Sequence, residues 1–468
     1  MASENLCALS ATELLDGYRK HELSPVEVTR AVLERIERLN PVLNAYCLVS
    51  ERALDDAKAS EARWLAGQPQ GLLDGVPVSI KDIILTKGWP TRRGSKTVDA
   101  KGPWNDDAPA TARLREHGAI LLGKTTTPEF GWKGVTDSPL TGITRNPWDA
   151  KKTPGGSSGG AAAALAAGMG ALAVGTDGGG SIRIPCSFTG LFGLKPSFGR
   201  VPAWPLSPFG TVAHVGPMTR SVADAALMLN VLALPDARDW YALPYERRDW
   251  RMGLDEGVTD LRIAFSPDLG YAKVDAEVAS LVRQALDVFR DEGAKVEEKS
   301  PGFANPDPIF RTLWFSGAAM LINAIPAEKR RLIDPGLLEV AAEGAKIPAA
   351  DILDSHMKRG ALGTHMNLFH RDYDLLVTPT LACAAFDVGL EFPPGKNRWI
   401  DWTPFTYPFN LTQQPAASIS CGVTREGLPV GLQLVGPRYA DALVLRAARA
   451  YESARPLAMP ELNSVLRS

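Results

Sequence analysis

The segment spanning residues 154–185 constrains this chain more than any other. It reads PGGSSGG (154–160), then an alanine-rich run, then ALAVG (171–175) and TDGGGSIRIP (176–185). The alanine-rich run predicts a helix of about nine residues, which carries the chain roughly 14 Å from its start. The apolar run before Asp177 predicts a strand of about six residues, which brings it back by roughly 20 Å. Helix start and strand end therefore meet, and Ser157 and Ser181 come side by side with no histidine near either in sequence. Three glycines before Ser181 (Gly178, Gly179 and Gly180) let the backbone adopt conformations closed to other residues and turn several N–H groups toward one point. That is the form of an oxyanion hole, in which each donor stabilises the developing charge by about 3 to 4 kcal/mol in other hydrolases. A glycine turn carrying an idle serine reads the same in isolation.

Elsewhere helices alternate with short apolar strands. Ser10 with Glu13, and Ser24 with Pro25 and Glu27, mark two helix starts, and the helices are expected to end near Lys20 and Leu39. A third helix is expected over about 51–65, after which GVPVSIKD (75–82) reads as a buried strand delivering Lys81 at its end. Helix is expected over about 108–117 and 276–292, with 304–370 mostly helical and a last helix over 441–454. Strands are expected at 119–122, 261–265, 375–377, 417–421 and 430–435, while 235–258 reads as surface loop. This rhythm argues an α/β class. With no internal repeat and no low-complexity linker, the 468 residues read as one large domain.

The remaining composition mostly excludes. Lys and Arg (51) nearly balance Asp and Glu (53), and no basic run suggests nucleic acid as a partner. Cys7, Cys47, Cys186, Cys383 and Cys421 form no Cys-x-x-Cys pair, and the six histidines show no ligand spacing, so reduced thiols and no metal are expected. The N-terminal residues lack the order of a signal peptide, and the longest nearly apolar run, 161–175, is shorter than the roughly 18 to 20 residues of a membrane span. The expectation is a cytoplasmic protein with no membrane association; a homodimer is left open.

Taken together these motifs resemble the amidase signature family, in which a Gly/Ser-rich motif precedes Asp-x-Gly-Gly-Ser-Ile-Arg. The resemblance extends through GVPVSIKD (75–82), GAILLGKTTTPEFG (118–131), GLFGLKPSFGRVP (190–202), GPMTRSVADAA (216–226) and PFNLTQQPAASISCG (408–422), and so covers most of the chain. It implies one α/β domain with a mixed sheet sandwiched between helices. Its parts would be N-terminal helices (about 1–70), a catalytic core (about 71–235), a variable, partly helical segment (about 300–370) and a sheet-completing part (about 371–468). It implies an amidase that cleaves a small-molecule carboxamide through an acyl-enzyme, without a cofactor. Ser181 would attack, Ser157 would shuttle the proton, Lys81 would be the base, and the amides of Gly178, Gly179, Gly180 and Ser181 would hold the oxyanion. The residues themselves agree to this extent: a serine needs a neighbouring base, and a lysine at the end of the apolar run 76–80 can be neutral if it is buried.

Other residues carry weaker signals. Asp177 and Arg183 flank the nucleophile with opposite charge and read as a structural ion pair. Cys186 and His214 read as packing residues. Trp399, Trp402 and Phe405, followed by Tyr407 and Phe409, favour an apolar or aryl group in the pocket, with core packing as the competing reading. GAILLGKT (118–125) matches the phosphate-loop pattern in letters, but its middle positions are themselves an apolar strand. GGSSG (155–159) fits the nucleophile elbow of α/β-hydrolases, which would make Ser157 the nucleophile of an esterase with a histidine partner, but no strand leads into it. The remaining alternative is the glutaminase-type subunit of a tRNA-dependent amidotransferase, whose members typically carry Thr and Gln where this chain has Gly178 and Ile184.

Overall fold

Among the described residues, eleven of the thirteen strands form one sheet, and the alternation of its side chains explains why helices are needed on both faces. The structure is a computed structural model that describes residues 3–456 and 459–462; part of the expected N-terminal and C-terminal segments, residues 1–2, 457–458 and 463–468, lies outside the described residues. In chain order the strands are β1 (Tyr46–Val49), β2 (Pro77–Lys81), β3 (Ile120–Thr125), β4 (Asp137–Ser138), β5 (Gly142–Ile143), β6 (Leu172–Asp177), β7 (Phe192–Lys195), β8 (His214–Thr219), β9 (Arg262–Phe265), β10 (Lys295–Glu298), β11 (Leu375–Pro379), β12 (Ala416–Val423) and β13 (Pro429–Val435). β4 and β5 pair separately; the rest run in the order β1-β3-β2-β6-β8-β7-β12-β13-β11-β9-β10. β2 is parallel to β3 and β6, and β9 to β10 and β11, while the other pairs are antiparallel, so the sheet is mixed.

Neighbouring residues on one strand enter different cores, as the two-residue period demands. Leu172 and Val174 of β6, Ile263 and Phe265 of β9, and Leu375 and Val377 of β11 join the core that holds the N-terminal helices and the helices Val222–Leu232, Ala276–Asp291 and Asp441–Ala454. Between them, Ala173 packs with the helix Gly159–Ala166, and Ala264 and Leu376 face the helices Asp307–Asn323, Pro335–Gly344 and Ala349–Phe369. Each Val, Leu, Ile or Phe buried this way contributes roughly 1.5 to 3 kcal/mol.

Helix starts follow the sequence closely. Ser10 closes a reciprocal cap with Glu13 on the helix Ala11–Arg19, and Ser24 caps Pro25–Leu43. The second helix passes the expected end at Leu39 because Pro41 lies in its last turn, where the missing N–H costs a single bond; Asn44, with φ 50°, then closes it. The stretch 235–258 is irregular, but it is not all surface: Trp250 and Leu254 are buried, and the Arg200 guanidinium lies 4.9 Å from the Trp250 ring. Among the described residues no helix is long and apolar enough to cross a membrane, and no cluster of His, Cys, Asp and Glu could hold a metal ion.

The helix Ala11–Arg19 is tied to the rest of the fold by a carboxylate. Buried Asp224 accepts from the Ala11 and Thr12 amides at 2.9 and 3.0 Å and from Thr12 Oγ1 at 3.1 Å, satisfying free N–H groups at that helix start. Removing it leaves those donors without an acceptor, at a cost of about 2 kcal/mol. Asp224→Ala is therefore expected to raise amide hydrogen exchange in residues 11–19 by roughly 30-fold, with the helix Ala276–Asp291 unchanged as the internal control; equal exchange in both helices would contradict this tether.

Candidate active site

Lys81 reaches the site because β2 is parallel to β6, so both strands end on the same side of the sheet. Ile80 and Val78 point into the large core, which sends Lys81 to the opposite face, toward the helix Gly159–Ala166. There the lysine is fully buried. Its Nζ lies 2.7 Å from Ser157 Oγ, 2.9 Å from Ser158 Oγ and 2.8 Å from Thr176 Oγ1. None of the three is charged. Burial drives the Lys81 pKa well below its ordinary 10.5, and the opposing pull of the Asp177 carboxylate does not restore it.

The three hydroxyls are not equivalent. Ser158 Oγ donates to the Thr176 carbonyl at 3.2 Å, so it offers Lys81 an oxygen lone pair and no proton. A neutral amine has two N–H donors and one lone pair. Directing one N–H at Ser158 leaves the second N–H and the lone pair for Ser157 and Thr176. Ser157 itself follows a cis Gly156–Ser157 peptide bond, and Gly131 stands against it: a Cβ at Gly131 would come 3.2 Å from Ser157 Oγ.

Ser181 sits just beyond β6, and the Ser158 amide donates to its carbonyl at 3.1 Å, which joins the two serine segments. Ser157 and Ser181 are 2% and 6% exposed and open onto the same cavity. The glycine loop between Asp177 and Ser181 is held by a fully buried ion pair. Arg183 grips both Asp177 oxygens at 2.9 Å and also donates to Gln433, Asn410 and the Thr406 carbonyl. Asp177 in turn accepts from the Gly180 and Ile182 amides at 2.8 and 3.2 Å and from Asn410. Burial alone would raise the Asp177 carboxyl, but the charge and hydrogen bonds of Arg183 outweigh it and hold the group well below the usual carboxylate range.

This network changes the expected donor set. Gly180, counted above among the oxyanion amides, donates its N–H to Asp177 and is closed to substrate. The amides of Gly178, Gly179 and Ser181 donate to no protein acceptor among the described residues. Gly180 must still be glycine, since its φ is 131° and a Cβ would fall 2.5 Å from Thr406 Oγ1.

The cavity holds about 680 Å³, a volume suited to a small ligand. Its apolar walls include Phe130, Val201, Trp204, Leu206, Phe209 and Trp314. Trp399, Trp402 and Phe405 are not among the lining residues, so their expected place in the pocket is corrected. They are buried one layer deeper: a Cβ at Gly179 would meet the Trp399 ring at 3.0 Å, Trp402 stacks on Phe188 at 5.7 Å, and the Phe405 carbonyl accepts from Gln433. Competition for apolar burial drew them inward to support the glycine loop. The walls came instead from 197–215 and from the helix Asp307–Asn323, where only scattered aromatic residues in an irregular pattern signalled a role.

The other sequence signals resolve simply. Lys124, the lysine of the phosphate-loop pattern, lies on β3, fully buried, with Ile84 O, Thr86 and Thr91 as partners. Cys186 is buried packing. His214 is buried as well; its Nδ1 lies 2.8 Å from the Val212 carbonyl and its Nε2 faces Lys195, and among the described residues no imidazole bonds to Ser157 or Ser181. The segment leading into Ser157 is not a strand, so the elbow geometry is absent there.

Comparisons with known proteins agree with this architecture. The family profile described as Amidase matches residues 27–445. Over 469 residues the chain is 39% identical to an acylamidase of Rhodococcus erythropolis, covering 98% of both chains. It is 35% identical over 483 residues to the A subunit of the glutamyl-tRNA(Gln) amidotransferase of Moorella thermoacetica, covering 95% of this chain and 96% of that one. Among solved structures, a bacterial aryl acylamidase of the amidase signature family superimposes with a TM-score of 0.90 at 33% identity, covering 96% of each chain. With the match extending over nearly its whole length, this chain belongs to the amidase family, the hydrolases of amide C–N bonds.

Proposed function

We propose that this amidase cleaves its substrate with Ser181 as nucleophile, Ser157 as proton shuttle and Lys81 as base. The observation that carries the reading is the contact of a fully buried, carboxylate-free Lys81 with Ser157 Oγ at 2.7 Å. Ser181 Oγ attacks the carbonyl carbon; its proton passes to Ser157 Oγ while the proton of Ser157 passes to Lys81 Nζ. The oxygen that gains charge is met by the free amides of Gly178, Gly179 and Ser181. The C–N bond then breaks as Ser157 returns a proton to the amine and takes one back from Lys81. This leaves an acyl-enzyme on Ser181, and water repeats the sequence to release the carboxylic acid.

The apolar walls support an aryl or other apolar group in the substrate, in keeping with the names of the acylamidase relatives. The five unpaired cysteines fit a reducing, cytoplasmic setting. An amidotransferase role is the weaker reading, because Gly178 and Ile184 stand where those proteins typically differ and the acylamidase identity is higher. Glutaminase activity above that on simple amides, or a second protein that co-purifies, would reverse that order.

Three outcomes test the roles. Ser181→Ala should abolish labelling by a fluorophosphonate probe while the protein stays folded, and undiminished labelling would remove Ser181 as nucleophile. Ser157→Ala should lose amide hydrolysis by about 100-fold or more yet keep part of its activity on activated esters, whose leaving groups need no proton; equal losses would make Ser157 structural. In the intact enzyme, acylation should fall as the pH drops through the lowered Lys81 pKa and the amine becomes protonated. Lys81→Arg cannot accept a proton at any working pH and should slow acylation by about 100-fold or more; near-normal acylation in that variant would leave Lys81 only an electrostatic part.

A further inference from the structure

Among the described residues, one cation in the cavity wall has no partner. Arg93 and Asp239 are the two lining residues that carry a formal charge, since burial drives the His214 imidazole pKa well below its ordinary value. Asp239 is satisfied by the backbone, its two oxygens accepting from the Ala203 and Tyr241 amides at 2.8 and 2.9 Å. The Arg93 guanidinium forms no hydrogen bond or ion pair with any described residue, and burial lowers its pKa. The one carboxylate whose field reaches it, Asp82, already receives the Arg92 and Gly94 amides and faces Lys124 at 3.9 Å. Leaving a partly desolvated guanidinium unpaired is unfavourable, and its fork of donors matches a carboxylate better than any other common anion short of phosphate.

The Arg93 backbone lies on a particular side of the site. The Arg93 carbonyl accepts from the Phe130 amide at 2.7 Å, and Phe130 and Gly131 line the cavity. Gly131 is the residue whose Cβ would stand 3.2 Å from Ser157 Oγ. Arg93 is thus joined, through two residues, to the serine that meets the departing amine. Around it the wall is apolar.

We propose that Arg93 is a specificity-determining residue that receives a carboxylate on the amine half of the substrate. The substrate class is then an N-acyl amino acid or N-acyl aminobenzoate, whose acid group pairs with Arg93 while the rest lies against the apolar wall. The assignment of the amine side rests on the reading of Ser157 as the proton shuttle to the leaving group.

The test compares three amides in the intact enzyme and in Arg93→Met and Arg93→Lys. para-Acetamidobenzoate carries the carboxylate on the amine half, succinanilate carries it on the acyl half, and para-nitroacetanilide is neutral. The ratio of kcat/KM for para-acetamidobenzoate to that for para-nitroacetanilide should fall by about tenfold or more in Arg93→Met and recover in part in Arg93→Lys. An unchanged ratio overturns the proposal, as does an intact enzyme that hydrolyses neutral anilides and rejects the acid. A loss confined to succinanilate overturns the assignment to the amine half. Binding gives a readout independent of turnover: para-acetamidobenzoate titrated calorimetrically into Ser181→Ala protein should bind about tenfold more weakly when Arg93→Met is added. If no amide is turned over at all, the proposed function fails, and this titration still judges Arg93; equal binding with and without the guanidinium rejects it.

Discussion

The removal of one amine from water sets the requirements of this site. Lys81 lies at the end of a strand in which every residue is buried, and its surroundings supply hydroxyls where a buried cation would need a carboxylate. An ammonium ion there would give up its hydration for three neutral partners, so the neutral amine is favoured. The three hydrogen-bond partners of Lys81 are consistent with that state. Ser158 presents an acceptor, and the second N–H and the lone pair are left to Ser157 and Thr176. A single carboxylate placed where Thr176 stands would hold the proton on the lysine.

The opposite solution appears close by. Asp177 and Arg183 are equally dry, yet both remain charged because each is saturated by the other and by neutral hydrogen bonds. Their pairing fixes the Gly180 amide inward and so orients the loop that leaves Gly178 and Ser181 lining the cavity. Two buried polar networks thus sit close together without merging. The residue types decide the difference: a bidentate guanidinium locks a carboxylate, whereas the lysine among hydroxyls has no carboxylate in hydrogen-bond contact to hold its proton.

Much of this was legible in the sequence because local rules and global fold agree. The return of the chain from Ser157 to Ser181 follows from the lengths of one helix and one strand, and they are as expected, Gly159–Ala166 and Leu172–Asp177. Capping residues marked the N-terminal helices, and apolar runs marked β2, β3, β11 and β13. What escaped were elements without a local signature. β7 and β8 are flanked by the glycine- and proline-rich segment that forms the cavity wall, and β10, KVEE, is a short edge strand with little apolar content. Ser158 was visible beside Ser157, but only the register of β2 against β6 shows which contacts Lys81. Trp399, Trp402 and Phe405 misled for a related reason: an aromatic run reports a need for burial, and burial is met as well behind a loop as inside a pocket. The same limit applies to Arg93, whose lack of a partner among the described residues is a fact of three dimensions.

The claim on which the account turns is that Lys81 is an uncharged amine in the resting enzyme. Its side chain can be followed directly, by the Cε methylene resonance in lysine-labelled protein, assigned by its disappearance in Lys81→Met. This resonance should already have the neutral-amine shift when the exposed lysines are still charged, with a titration midpoint well below the ordinary lysine value of 10.5. A resonance that titrates together with the exposed lysines would show a resting ammonium ion and would contradict the assignment of Lys81 as base.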